Sequence, residues 1–457
     1  MEKIASINPS NKQILAEINS SSYQEIQVKV EMAQFAKIKW HEKGITNRIK
    51  ILRDVFSEFQ QRKQEIILLE SIEMGSPLKE TESNFDSTMR CANENFAVAE
   101  KYLSSEISFE NSDEIHKVYH EPIGVSAVII PWNFPFANFV WNGLQSLLAG
   151  NTIVLKHSEE CPLIGQLIEE VLLRHLPEGV FSEVYGDGAI GSFLVDQNIN
   201  MLSFTGSTTT GKLLYEKAGK KFIKSVMELG GSAPGIIFED ANCDLFIDEV
   251  CDLRLFNAGQ CCDGLKRLIV HEKHFATIAE KISTIFSSKK IGNAQDKQTD
   301  IGPLVSKKQL DLLIFQIEEA KKRGANVLTG GNSLEKQLGG YFFEPTVLTN
   351  IKTDMRVWQE EVFGPVLPMM SFRTEQEAID IANQTQYGLS AYIFTKNKDR
   401  ADKIAKLIDA GMISINGKSY IRYTNPFGGY KYSGIGRLHG KYGFYDLTQR
   451  KVIATAK

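Results

Sequence analysis

Gly124-Val125-Ser126-Ala127-Val128-Ile129-Ile130-Pro131-Trp132-Asn133-Phe134-Pro135 is the stretch that decides how this chain is built. From Val125 to Ile130 it is a short apolar strand, ended by Pro, Trp and Asn. Further short strands follow at Thr152–Leu155, Glu183–Tyr185 and Met201–Phe204, with helical stretches between them. That alternation is the signature of a doubly wound parallel sheet. Ligands in such sheets bind where strands end and helices begin, and the strand ends here carry Asn133, Lys156, Gly186 and Gly206.

The scheme repeats after Glu228, with strands expected at Gly235–Phe238, Arg267–His271, Asn326–Leu328, Pro365–Ser371 and Ser390–Phe394, so a second α/β domain is read from 231 to 425. Residues 22 to 102 read as helices: Arg48, Ile51, Leu52, Val55 and Phe56 recur at helical spacing, as do Ile66, Leu69 and Ile72 before the Gly75-Ser76-Pro77 break. Alternation at 103–122 and again from Tyr442 to Ala454 predicts strands.

A chain of 457 residues exceeds one ordinary domain, and its 42% apolar content is enough for cores in two lobes. The formal charge is −4 and no Lys/Arg block forms a phosphate-tracking stripe, which sets nucleic acid aside as a partner. No run approaches the roughly eighteen apolar residues of a membrane span. Met1-Glu2-Lys3-Ile4-Ala5-Ser6 lacks the apolar core of a signal peptide, so a soluble, cytoplasmic protein is expected. Cys91, Cys161, Cys243, Cys251, Cys261 and Cys262 show neither metal-ligand spacing nor a dense disulfide framework, and no metal is expected.

Two Gly-marked turns carry candidate chemistry. Cys262 ends Phe256-Asn257-Ala258-Gly259-Gln260-Cys261-Cys262, and Glu228 opens Glu228-Leu229-Gly230-Gly231. A thiol nucleophile and a carboxylate base suggest covalent catalysis through a thioester. Cys261 competes as nucleophile. The bland alternatives are an inert core cysteine and a solvated glutamate. Gly186-Asp187-Gly188-Ala189-Ile190-Gly191 matches G-x-G-x-x-G literally, but no acidic residue ends a following strand about 20 residues on, so it is not the dinucleotide fingerprint.

Together with Pro131-Trp132-Asn133-Phe134-Pro135, Phe204-Thr205-Gly206-Ser207-Thr208, Glu360-Glu361-Val362-Phe363-Gly364-Pro365 and Pro426-Phe427-Gly428-Gly429, these strings resemble the aldehyde dehydrogenase superfamily from about residue 5 to residue 450. The resemblance implies an α/β fold of two doubly wound domains with a small β oligomerisation arm. The dinucleotide-binding domain would be 1–102 and 123–230, the catalytic domain 231–425, and the arm 103–122 and 440–457, pairing subunits into a homodimer or homotetramer. It also implies Cys262 as nucleophile by the Gly-Gln-X-Cys spacing, Asn133 as oxyanion donor and Glu228 as the base that activates water. Members that release the acyl group to coenzyme A commonly lack this Glu. The thiol pKa is expected to be lowered by backbone donors or by the cofactor's positive charge, since no cation is adjacent in sequence.

For the cofactor, the resemblance implies NAD, with NADP tolerated in some members. Its contacts would be Trp132, Lys156, Glu159, Gly186, Gly206, Ser207, Leu229, Glu361 and Phe363. His157, where the family commonly has Pro, and the compact length resemble a bacterial branch that oxidises succinate semialdehyde. Against a carboxylate substrate, Trp141 stands where many such members carry Arg, and Asp263 directly follows the nucleophile. The pocket is expected to involve Trp141, Cys261, Asp263, Arg422 and Phe427, with Arg422 or Lys418 as the cation that would hold a carboxylate. The alternatives are uncharged aliphatic or aromatic aldehydes, or a scaffold that has lost catalysis.

Overall fold

The computed structural model describes residues 2–457, apart from the side chains of Cys243 and Asp244. Two parallel-rich sheets dominate. In the six-stranded sheet the order is Gly434–Ile435, Lys224–Glu228, Met201–Thr205, Val125–Ile129, Thr152–Lys156 and Phe181–Glu183. Val125–Ile129 sits where the strand order reverses: Ile129 pairs with Lys156 on one side and with Phe204 on the other. The crevice at the carboxyl ends of these strands is the standard ligand position of an open α/β sheet. Glu228 reaches the same edge because its strand pairs Thr205 with Glu228.

In the seven-stranded sheet the order is Asn326–Thr329, Thr346–Thr349, Val366–Phe372, Leu265–His271, Ala233–Ile237, Ser390–Phe394 and Met412–Ile415. Only four residues separate Glu228 from Ala233, so the carboxyl edge of the first sheet meets the amino edge of the second. Its core includes Ile236, Leu268, Ile269, Val347, Leu367 and Ile393. Three helices, Gly44–Gln61, Lys63–Met74 and Leu78–Leu103, cover one face of the first sheet and gather Phe56, Phe59, Phe85 and Phe96 in one cluster with Phe136 and Phe139, while Tyr23–Glu42 lays Ile26, Val30 and Ala33 on the other face with Val125, Ala127 and Ile129.

The third sheet joins Glu106–Glu110, Glu114–Pro122 and Thr448–Ala456, in register from Thr448↔Pro122 to Ala456↔Glu114. The tail expectation is corrected here, because Gly440–Asp446 forms a helix and the strand begins only at Thr448. Gly443 and Phe444 of that helix are buried, and tertiary packing overrides the local alternation. The strand expected at Glu183–Tyr185 lies two residues earlier. The hairpin Lys3–Ile7/Ile14–Asn19 and the strands Thr346–Thr349, Met412–Ile415 and Gly434–Ile435 were not anticipated.

Candidate active site

Cys262 follows a strained turn. The helix ending at Leu255 gives way to Phe256–Gly259, where Asn257 (φ 52°), Ala258 (φ 52°) and Gly259 (φ 76°) are all left-handed. Glycine tolerates this and asparagine nearly so, but at Ala258 it costs about 1–2 kcal/mol. Neighbouring groups hold the strain. Glu80 accepts from Asn257 N at 2.8 Å, and Asn257 Nδ2 donates to the Asn133 carbonyl at 3.0 Å. A Cβ on Gly259 would lie 2.2 Å from the Gly364 carbonyl. Arg254 donates to the carbonyls of Val362 (3.0 Å) and Gly364. The Cys262 turn and the Glu360–Pro365 segment are thus one packed unit.

Cys262 is partly exposed, while Cys91, Cys161 and Cys251 are buried. Asn133 is buried, and its Nδ2 donates to the Gln260 carbonyl at 3.1 Å, two residues before the thiol. It does not cap the following helix, whose cap is Phe134. Phe134 stacks on Phe256, centroids 5.8 Å apart, which clamps the Asn133 loop to the segment leading to Cys262. Gly231 packs against the Cys262 carbonyl, where a Cβ would come within 2.5 Å. Glu228 is 3% exposed, and neither carboxylate oxygen has a hydrogen-bond partner among the described residues. Gly428 leaves room for it: a Cβ there would lie 2.7 Å from Glu228 Oε1 and 2.8 Å from Arg437 Cδ.

Burial pushes the Glu228 carboxyl well above the usual carboxylate range, with Arg437 opposing and Asp446 adding to the rise. The expected lowering of the Cys262 pKa is overturned for the chain's own groups. Burial raises the thiol far above its ordinary value, Asp263 raises it further, and Lys266 is the opposing cation.

Lys266 was missed in the sequence, where a lysine four positions past the nucleophile reads as a solvated strand residue. It is 1% exposed, and its ammonium donates to the carbonyls of Gly231 (3.0 Å) and Cys262 (3.1 Å) and to the Glu361 carboxylate. Glu361 also accepts from Gly231 N at 3.0 Å.

The residues implied for the cofactor lie along the same crevice. Lys156, 4% exposed, donates to the His157 carbonyl (3.1 Å) and to Glu159 (3.4 Å), and burial lowers its pKa. His157 is buried against Glu183. Gly186 (φ 145°) lies over Ile190, where a Cβ would be 2.3 Å from Ile190 Cγ1. Ser207 Oγ caps the helix Thr208–Lys220, accepting from Thr210 N at 3.2 Å, and Gly206 N donates to the Glu228 carbonyl at 3.0 Å. Leu229 packs under this helix at Gly211. Trp132 meets Phe363 edge-on, centroids 5.5 Å apart. A cation beside a carboxylate, then a helix N-terminus, then a carboxylate beside an aromatic pair suits ribose, pyrophosphate and a second ribose with its ring. The residues present therefore fit a dinucleotide.

Trp141 lies in a single π-turn, Val140–Leu144, and with Phe427 and His439 forms an aromatic wall with centroids 5.7–6.2 Å apart. Burial lowers His439 to about 3, so the wall is uncharged. Trp141, Cys262 and Tyr420 pack on one apolar cluster that includes Leu389, Met412 and Phe427. Asp263 is rigidly held. Its carboxylate accepts from Tyr420 OH at 2.9 Å, and its carbonyl accepts from Tyr392 OH and Ser390 Oγ, both at 2.8 Å. Cys261 Sγ is 3.6 Å from Asp263 Oδ1. Among the described residues no cationic side chain lies within 4.0 Å of that carboxylate. Arg422 and Lys418 are exposed, and among the described residues the Arg422 side chain donates only to its neighbour's carbonyl, at 3.2 Å from Ile421 O.

Residues 1–453 match the model of the aldehyde dehydrogenase family. A peroxisomal aminoaldehyde dehydrogenase of Pisum sativum is 34% identical, covering 99% of this chain and 92% of its own. The crystal structure of a betaine aldehyde dehydrogenase from Staphylococcus aureus in complex with NAD+ superposes with a TM-score of 0.95 at 31% identity, covering 99% of this chain and 91% of the other. An NAD+ complex of an aldehyde dehydrogenase from Bacillus cereus gives 0.94 at 32% identity, covering 100% and 93%.

Proposed function

The chain belongs to the aldehyde dehydrogenase family, and on that footing we propose that it oxidises an aldehyde to the free carboxylic acid, with Cys262 as nucleophile, Asn133 as oxyanion donor, Glu228 as base and NAD as hydride acceptor. The observation that carries the reading is a buried carboxylate, without a hydrogen-bond partner among the described residues, three residues before the glycine that packs on the Cys262 carbonyl. Such a carboxylate is poised to take a proton.

The thiol gives up its proton to solvent water as sulfur bonds the carbonyl carbon and the C=O π pair moves onto oxygen. Asn133 has one N–H on Gln260 O, which leaves its second N–H for the oxyanion. The dinucleotide supplies the hydride acceptor, and the acyl group is left on Cys262 as a thioester. Glu228 then takes a proton from water as its oxygen adds to the thioester carbon. The C–S bond breaks, the acid leaves, and the sulfur is free again. Lys156 and Glu159 would hold the adenosine ribose, Gly186 would lie at the adenine end, and the Gly206–Ser207 helix start with Leu229 beneath it would take the pyrophosphate. Glu361 would bind the second ribose, with Trp132 and Phe363 flanking its ring. A carboxylate at Glu159 repels a 2′-phosphate, which favours NAD over NADP. The three-stranded sheet at 106–122 and 448–456 is the surface for pairing two or four copies.

The substrate reading turns on Asp263. A carboxylate-tailed aldehyde such as succinate semialdehyde needs a cation, and the available ones, Arg422 and Lys418, are exposed. A carboxylate held by Tyr420 beside the Trp141–Phe427 wall suits an ammonium tail instead, through charge and cation–π attraction. A cation there also cancels the charge that, after burial, does most to raise the Cys262 thiol. The pea and Staphylococcus aureus relatives carry the names of aminoaldehydes and betaine aldehyde, which fits.

Absorbance at 340 nm with NAD and a panel of 4-aminobutanal, betaine aldehyde, butanal, benzaldehyde and succinate semialdehyde tests this. The cationic aldehydes should have the highest kcat/KM, and Asp263→Asn should erase their advantage. Butanal or benzaldehyde ranking first would favour the uncharged reading, and succinate semialdehyde ranking first would favour Arg422 as anchor. No NADH from any of them would favour a scaffold without catalysis.

A further inference from the structure

Besides Cys261 and Tyr392, four ionisable side chains bear most on the nucleophile. Asp263 follows it in the chain, Lys266 and Glu361 come from the second sheet and its 360–365 segment, and Glu228 comes from the first sheet. Three are carboxylates and only Lys266 is a cation. Its three ammonium hydrogens meet three acceptors, on Gly231, Cys262 and Glu361, with the Phe363 ring 5.0 Å away. Gly230 and Gly231 make this possible. A Cβ on Gly230 would sit 2.2 Å from Glu361 Oε2, and one on Gly231 would sit 2.5 Å from Cys262 O.

We propose that Lys266 is a positioning residue that ties the nucleophile's main chain to Glu361 and supplies the charge that favours the Cys262 thiolate. The thiol and the cofactor carboxylate then share one desolvated cation, so whatever engages Glu361 changes how much of that charge the sulfur feels. The inference rests on Cys262 as nucleophile, but its test needs no aldehyde.

The experiment is the pH dependence of iodoacetamide alkylation at Cys262, followed by mass spectrometry in a Cys261→Ser background, with NAD affinity measured by calorimetry. Lys266→Met should move the alkylation limb up by about one pH unit or more and weaken NAD roughly tenfold, as for a lost charged hydrogen bond. Lys266→Arg should restore most of both. Glu361→Gln should also weaken NAD but move the limb down, because the neutral amide leaves the ammonium's charge unopposed. Limbs that stay put, or that move the same way in the Met and Gln variants, overturn the proposal. If Lys266→Met fails to fold, the downward shift in Glu361→Gln decides alone. A normal alkylation pattern with no oxidation of any aldehyde would defeat the proposed activity and leave this inference standing.

Discussion

Glu228 and Glu361 reach Cys262 from different sheets, and their surroundings could hardly differ more. Glu228 ends a strand of the first sheet with both oxygens unpartnered among the described residues, and burial drives its carboxyl up. Glu361 sits in a loop of the second sheet, held by Lys266 and by the Gly231 amide. A carboxylate left unsatisfied in a dry site favours the protonated form and is suited to moving a proton. One saturated with donors is suited to holding a ligand in place. Two residues of one type are thus fitted to opposite purposes, as proposed above, through their neighbours alone.

Substitutions can break that contrast, beginning with the residue both carboxylates serve. Cys262→Ala should abolish NADH formation by on the order of 10⁴-fold or more, measured at 340 nm. Glu228→Gln should leave the first-turnover NADH burst intact and slow the steady state by roughly 10²–10⁴-fold. Loss of both phases together would make Glu228 structural. Because its carboxyl is raised and acts ionised, the wild-type steady-state rate should climb with pH where the burst has levelled. Asn133→Ala should depress the burst itself, by roughly 10²–10³-fold.

The smallest effect concerns Glu70, a buried carboxyl on the helical layer that accepts from Phe136 N and is raised by burial from 4.5 to about 7. The native state keeps this proton between those values while the unfolded chain loses it. Its contribution to stability therefore falls as pH rises through that window and levels off above about 7. Glu70→Gln should flatten the decline in melting temperature between pH 5 and 7.5 by roughly one or two degrees.

Strand-end motifs made the crevice legible, because Pro131–Pro135, Gly206–Ser207 and Glu228–Gly231 each combine a turn signal with a residue type suited to chemistry or to holding a ligand. Lys266 escaped, since its meaning depends on Glu361, 95 residues away, and nothing local separates a buried lysine from a solvated one. The tail helix Gly440–Asp446 escaped for a similar reason: Gly440 and Gly443 mask a helix that exists because its face packs on the rest of the chain. Strand Gly434–Ile435 is two residues long and carries no periodic signal. The upward push that the chain's own groups give the thiol was not legible in the sequence because burial, the largest influence on it, is a property of the folded chain.

That two-residue strand pairs Gly434 with Glu228 and closes the outer edge of the first sheet. A ribosome delivering the chain from its amino end will have released the whole second lobe before this edge can be sealed. At about 5–20 residues per second the wait is on the order of ten seconds or more. During that interval the strand bearing Glu228 lies open, a hazard for newborn chains and a reason why truncations near the carboxyl terminus should harm a lobe built almost entirely from the amino-terminal half.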